Sequence, residues 1–75
     1  MAQSYTVMPV PTPDDFAKIK EGGTREAVLS SLGTPWSHVT IPDEGHLIEI
    51  MSWYNGRQRV GTVRLDNGTV VSTSF

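Results

Sequence analysis

The stretch His46–Leu65, HLIEIMSWYNGRQRVGTVRL, decides how this chain folds. Two runs rich in β-branched and aromatic residues flank Asn55-Gly56. That dipeptide is the strongest short hairpin signal, because a tight turn needs the positive φ that Asn and Gly tolerate. The reading is an antiparallel hairpin of His46–Tyr54 with Gln58–Leu65. With Asn55-Gly56 as the loop, Tyr54 pairs with Arg57 and the register zips back. Ile50 then faces Gly61, Ile48 faces Val63, and His46 faces Leu65. On the other face Trp53 meets Gln58, Met51 meets Val60, Glu49 meets Thr62, and Leu47 meets Arg64. The set Ile48, Ile50, Val63 and Leu65 is the more uniformly apolar, so it is assigned to the core. Gly61 there lets a helix approach the sheet closely. A one-residue slip exchanges the two faces.

The second set is amphipathic and is left exposed. A contiguous exposed apolar patch marks a partner site, and Trp and Met are favoured contact residues. Trp53, Met51, Val60, Leu47, Gln58 and Arg64 are therefore the candidate partner-binding residues, with Trp53 as anchor and Arg64 orienting the partner by charge. The competing reading is that the chain covers Trp53 with its own Pro-rich N-terminus.

Upstream lie two helical segments. Thr12 is a good N-cap, Pro13 fits the first helical position, and Asp14 and Asp15 suit the positive end of the helix dipole. Phe16 and Ile19 form a short apolar stripe, and Gly22 ends the segment as a left-handed cap. Thr24 caps the second helix, whose buried stripe is Val28, Leu29 and Leu32. Gly33 ends it and Pro35 forbids resumption. Helices this short do not persist alone, so the Gly22-Gly23 link makes a helical hairpin that must lean on an apolar sheet. Before them, Pro9, Pro11 and Pro13 give residues 1–12 the character of a stiff lead-in or tether, with an edge strand through Tyr5 and Val7 as the lesser option.

Trp36–Ile41 reads as the first strand, ended by Pro42, with PDEGH, Pro42–His46, as a turn. Asp66–Gly68 is another hairpin turn, and Thr69–Phe75 is the fourth strand. A two-residue Asn67-Gly68 loop turns Val70 inward; a bulged three-residue loop turns Val71 and Phe75 inward instead. The aromatic Phe75 favours the second. The expected fold is α+β and two-layered: residues 13–75 form one domain, ααββββ, with the helical hairpin on a four-stranded antiparallel meander.

Composition narrows function. Seventy-five residues allow one small core and little room for a deep catalytic pocket. Net charge is −2 and the six Lys/Arg are scattered, so no basic stripe for nucleic acid exists. There is no cysteine, hence no disulfide, thiolate zinc site or thiol nucleophile. No apolar run reaches transmembrane length. The opening MAQSY fits a trimmed secretory signal or a native cytoplasmic start. His38 and His46, pairing across the first hairpin, offer a third reading as a small metal-binding protein, but two ligands make a weak site. Glycines before a helix, as in Glu21–Thr24, lack the strand and spacing of a phosphate loop. No catalytic constellation and no cofactor motif is found.

In order and spacing, FAKIKEGGTREAVLSSLGTPW followed by SWYNGRQRVGTVRLDNGTVV resembles the SmpA/OmlA (BamE-like) family of small outer-membrane assembly lipoproteins. The corresponding pieces are Gly22-Gly23-Thr24, Leu32-Gly33-Thr34-Pro35, Trp53-Tyr54 and Asp66-Asn67-Gly68-Thr69-Val70. The unit is also similar to one repeat of a secreted β-lactamase-inhibitor protein. The resemblance implies binding without catalysis, in the periplasm or outside the cell. Its implied partner is another envelope protein, with weak contact to anionic lipid; pairing with a second copy in a homodimer is left open by the residues themselves. An inhibitor of one secreted or periplasmic hydrolase is the alternative. No cysteine is present for a lipid, and Gly23 replaces a bulkier residue of the family pattern. These departures point to the wider superfamily rather than to the assembly subunit itself.

Overall fold

The computed structural model describes residues 10–75. The lead-in up to Pro9, with the edge-strand option at Tyr5 and Val7, lies outside the described residues. Two short helices, α1 (Pro13–Ala17) and α2 (Arg25–Leu32), precede four strands: β1 (Ser37–Asp43), β2 (His46–Asn55), β3 (Gln58–Asp66) and β4 (Thr69–Ser74). The strands form one antiparallel sheet in the order β1-β2-β3-β4, so the class is α+β.

Local chemistry explains the helix starts. Thr12 and Asp15 form a reciprocal capping box, and Pro13 opens the first turn. The Thr24 hydroxyl accepts from the Ala27 amide at 3.1 Å. α1 was expected to run to Gly22 but stops at Ala17, where the next amides bond three residues back, Lys18 to Asp15 at 3.3 Å and Ile19 to Phe16 at 3.0 Å, so the last turn tightens and ends the helix. The link beyond it finds partners elsewhere. The Gly22 amide donates to the Val70 carbonyl and the Val70 amide to the Gly23 carbonyl, both at 2.8 Å. The Arg25 amide donates to the Gly68 carbonyl at 3.1 Å. The inter-helix link thus runs along the outer edge of β4, with Thr24 bridging Thr69.

The turns set the register. Glu44-Gly45 and Asn67-Gly68 are two-residue loops with positive φ at both positions, the type I′ pattern. The middle loop is Gly56-Arg57, closed by Asn55 opposite Gln58, and only Gly56 has positive φ. That is the type II′ pattern, with Gly first. Between Trp53 and Tyr54 the register then shifts: Tyr54 faces Arg59 but Trp53 faces Gly61, leaving Val60 as an extra, bulged residue.

This bulge overturns the expected faces. Met51 now lies opposite Val63, and Glu49 opposite Leu65. Trp53 and Met51 are buried in the core with Phe16, Val28, Leu32, Val63, Leu65 and Val70. Val63 and Leu65 are core residues as expected, but their β2 partners are not the isoleucines. Trp53 packs edge-on against Phe16, with ring centroids 5.6 Å apart. Gly61 serves the expected purpose: a Cβ there would sit 2.7 Å from the Phe16 ring. Among the described residues the Trp53 indole N–H has no hydrogen-bond partner.

Other details also differ. β1 continues through Pro42 to Asp43, which an edge strand tolerates because one side of it needs no donor. The last hairpin takes the two-residue loop, so Val70 is buried while Val71 and Phe75 are exposed. A second bulge, at Val71 between the pairs Leu65–Val70 and Arg64–Ser72, absorbs the mismatch. Phe75 instead stacks loosely on Phe16 at 6.1 Å. Leu29, expected inside, is exposed.

Candidate interaction surface

The sheet has a face covered by the helices and a face that the described residues leave open. On the open face the register makes four rows across the strands. Asp43 and His46 form the first. Ile41, Ile48, Asp66 and Thr69 form the second. Val39, Ile50, Arg64 and Ser72 form the third, and Ser37, Ser52, Thr62 and Ser74 the fourth. Val39 and Ile41 are exposed, at 48% and 45%, and stand beside Ile50 and the more enclosed Ile48. These four aliphatic side chains make a strip at the β1–β2 side, bordered by Arg64 and Asp66 on β3. The Ser52 and Thr62 hydroxyls meet at 3.3 Å at one end. At the other end His46 Nδ1 lies 2.9 Å from both Asp66 carboxylate oxygens. The Asp66 hydrogen bond, and then its charge, raises the His46 pKa above its ordinary value.

The expected site residues divide. Trp53 and Met51 are buried, and Val60 is half-buried against the core, so these three do not form an exposed patch. Leu47, Gln58 and Arg64 are exposed, but they do not share one surface. Arg64 is on the open face, Gln58 closes the hairpin, and Leu47 is held near the last turn through Asn67. The residues that do form an open apolar surface are Val39, Ile41 and the half-buried Ile50; Ile48 shares their face but is buried. The alternation of β1, Ser37-His38-Val39-Thr40-Ile41, carried that signal in the sequence.

A buried charge lies on the covered face. Glu49 is 3% exposed. Arg25, at the start of α2, donates Nε–H to both its oxygens at 3.0 Å and also places Nη2 on Oε1. His38 Nε2 lies 2.7 Å from the other oxygen. The Arg25 hydrogen bond outweighs burial and, helped by His38, holds the Glu49 carboxyl below the usual carboxylate range. The cluster pins α2 to β2.

The two histidines do not meet. His38 pairs opposite Met51 on the covered face, whereas His46 is opposite Asp43 on the open one. The alternative reading that joined them in one metal site therefore does not hold, and among the described residues no three His, Asp or Glu side chains cluster as a metal site. A cleft of about 300 Å³ lies between Leu32, Pro35, Trp36, Trp53 and Tyr54, with Trp36 81% exposed at its mouth. No described helix is long and apolar enough to cross a membrane. Compared with known families, curated proteins and solved structures, the chain matches none of them.

Proposed function

We propose that this chain is a non-enzymatic protein-interaction module of the bacterial cell envelope, of the BamE-like kind, working in the periplasm or outside the cell. In this reading the two helices act as a helical hairpin that stiffens the sheet from behind, and the sheet face away from them meets the partner. The observation that carries it is the aliphatic surface of Val39, Ile41 and half-buried Ile50, laid over the buried Ile48 and bordered by charges. A stable core surrounds Trp53 on the opposite side, so the strip is not needed to fill that core. The surface proposed here differs from the Trp53-centred one that the sequence suggested, while the direction of docking, away from the helices, is the same.

The test is photo-cross-linking from single positions in the cell that encodes the protein. Probes at Val39 and Ile41 are expected to trap one discrete adduct, and probes at Ala27 and Ser31 on α2 to trap none. Adducts of equal yield from both sides, or none from Val39 and Ile41, overturn the reading.

A further inference from the structure

We infer that the open face pairs with a second copy of this chain, about a two-fold axis that crosses the strands. This rests on the reading of that face as an interaction surface, and names its partner. The argument is the arrangement of the rows. When two such sheets stack face to face, a two-fold axis across the strands reverses strand direction but keeps β1 over β1 and β3 over β3. Let the axis lie over the row Thr40, Glu49 and Leu65, whose own side chains point to the covered face. The second and third rows are then exchanged between copies. Ile41 falls over the partner copy's Val39 position, Ile48 over its Ile50 position, and Asp66 over its Arg64 position, each contact occurring twice.

Every overlap is complementary. Aliphatic meets aliphatic, and an exposed cation meets a carboxylate. Among the described residues Arg64 has no ion-pair partner within its own chain. The outer rows bring Asp43 over Ser37 and His46 over Ser52, so no like charges are opposed there. With the axis along the strands instead, each row falls on itself in reverse: over β2, Arg64 lands on Val39 and Asp66 on Ile41, which buries both charges against aliphatic groups, and over β3 each meets its own like charge. Charge thus selects one of the two symmetric arrangements, and isologous packing is the commonest way a chain pairs with itself. Sheets stacked in this way cross at about 30°, which keeps rows next to the axis in contact. A face of about 20 × 20 Å covers on the order of 400 Å² in projection. That is the small end of specific interfaces, so a micromolar dimer is expected rather than an obligate one.

Sedimentation velocity over low-micromolar to sub-millimolar protein tests it. The wild type is expected to pass from monomer to dimer. Arg64→Asp opposes carboxylates across the axis, and Asp66→Arg opposes guanidinium groups, so each variant should dimerise roughly tenfold more weakly or worse. Mixed in equal amounts, the two variants should recover association as a one-to-one heterodimer, because each pair then unites opposite charges. Glu26→Gln, an exposed α2 position on the covered side of the sheet, should leave dimerisation unchanged, which ties the effect to the open-face charges rather than to charge changes in general. Cooperative melts and a wild-type far-UV circular dichroism spectrum confirm that the charge variants fold, with Asp66→Arg melting slightly lower because it loses its His46 pair. A wild type that stays monomeric throughout, or variants that fail to recover on mixing, overturns the dimer. If the Val39 probe still traps a different protein in that case, the face remains an interaction surface and only the self-pairing fails. If it traps nothing, both fail.

Discussion

On the covered face of the sheet Glu49 is sealed beneath α2 by Arg25 and His38, whereas on the open face Arg64 and Asp66 stand beside four aliphatic side chains. The covered face took the charge inside and neutralised it with a helix. The open face kept its charges at the rim and its apolar groups near solvent. Residues 49 and 50 are neighbours in the chain, so this division comes from strand parity alone. One inserted residue, Val60, sets that parity between β2 and β3. The difference teaches that one face is spent on holding the helices, while the other keeps Val39 and Ile41 in contact with solvent.

The largest test of that contrast is Trp53→Ala. Removing a buried indole should cost about 3–5 kcal/mol, enough to leave so small a domain largely unfolded. Urea denaturation measures it, and a loss below about 1 kcal/mol would return Trp53 to the open side. Next is Arg25→Met. It strands the Glu49 carboxylate, whose side chain is 5% exposed, but Arg25 itself is 41% exposed and worth less than a fully buried partner. A loss of about 1–3 kcal/mol is expected, with most of it regained in Arg25→Met/Glu49→Leu, since an apolar pair removes the stranded charge.

The hairpin positions were legible because turn chemistry is local. Asn-Gly and Asp-Asn-Gly name their own turns, and Thr-Pro and Gly-Gly-Thr name the helix starts. The faces were not legible in the same way. Asn55-Gly56 suggested a type I′ loop, but the chain uses Gly56-Arg57 and then bulges at Val60. Both choices are made by packing: Phe16 needs the space over Gly61, and Trp53 needs to reach Phe16. Glu49 also misled. An acid between isoleucines reads as a solvent marker until Arg25, 24 residues away, arrives to pair it. Val39 and Ile41 were visible as an alternating strand, but their significance depended on which face of β2 they joined.

Stability against pH should separate the faces at a smaller scale. The folded Glu49 carboxyl titrates below its ordinary value. Its contribution is therefore present above the unfolded value of about 4.3 and is lost as pH falls through the folded one. The folded His46 titrates above its ordinary value. Its contribution is complete below about pH 6.5 and is lost as pH rises through the folded value. Thermal melts should show Glu49→Gln flattening the acid limb, and His46→Gln flattening a shallower decline above pH 6.5. An acid limb unchanged in Glu49→Gln would break the assignment. The smallest effect belongs to Ile41→Thr on the open face, which should change monomer stability by no more than about 0.5 kcal/mol. A larger loss in denaturant would show that the strip supports the fold after all.

The hydrogen bonds from Gly22 and Gly23 to Val70 have a consequence for biosynthesis. They tie the link between the helices to a strand that the ribosome makes nearly 50 residues later. Until β4 emerges, the backbone groups of that link have water as their partner, and α1 and α2 have only an incomplete sheet to rest on. The N-terminal half therefore cannot mature vectorially as it leaves the exit tunnel; it must wait for the downstream strand, and a nascent chain stalled before Val70 should be as protease-sensitive at Gly22 as at any open loop.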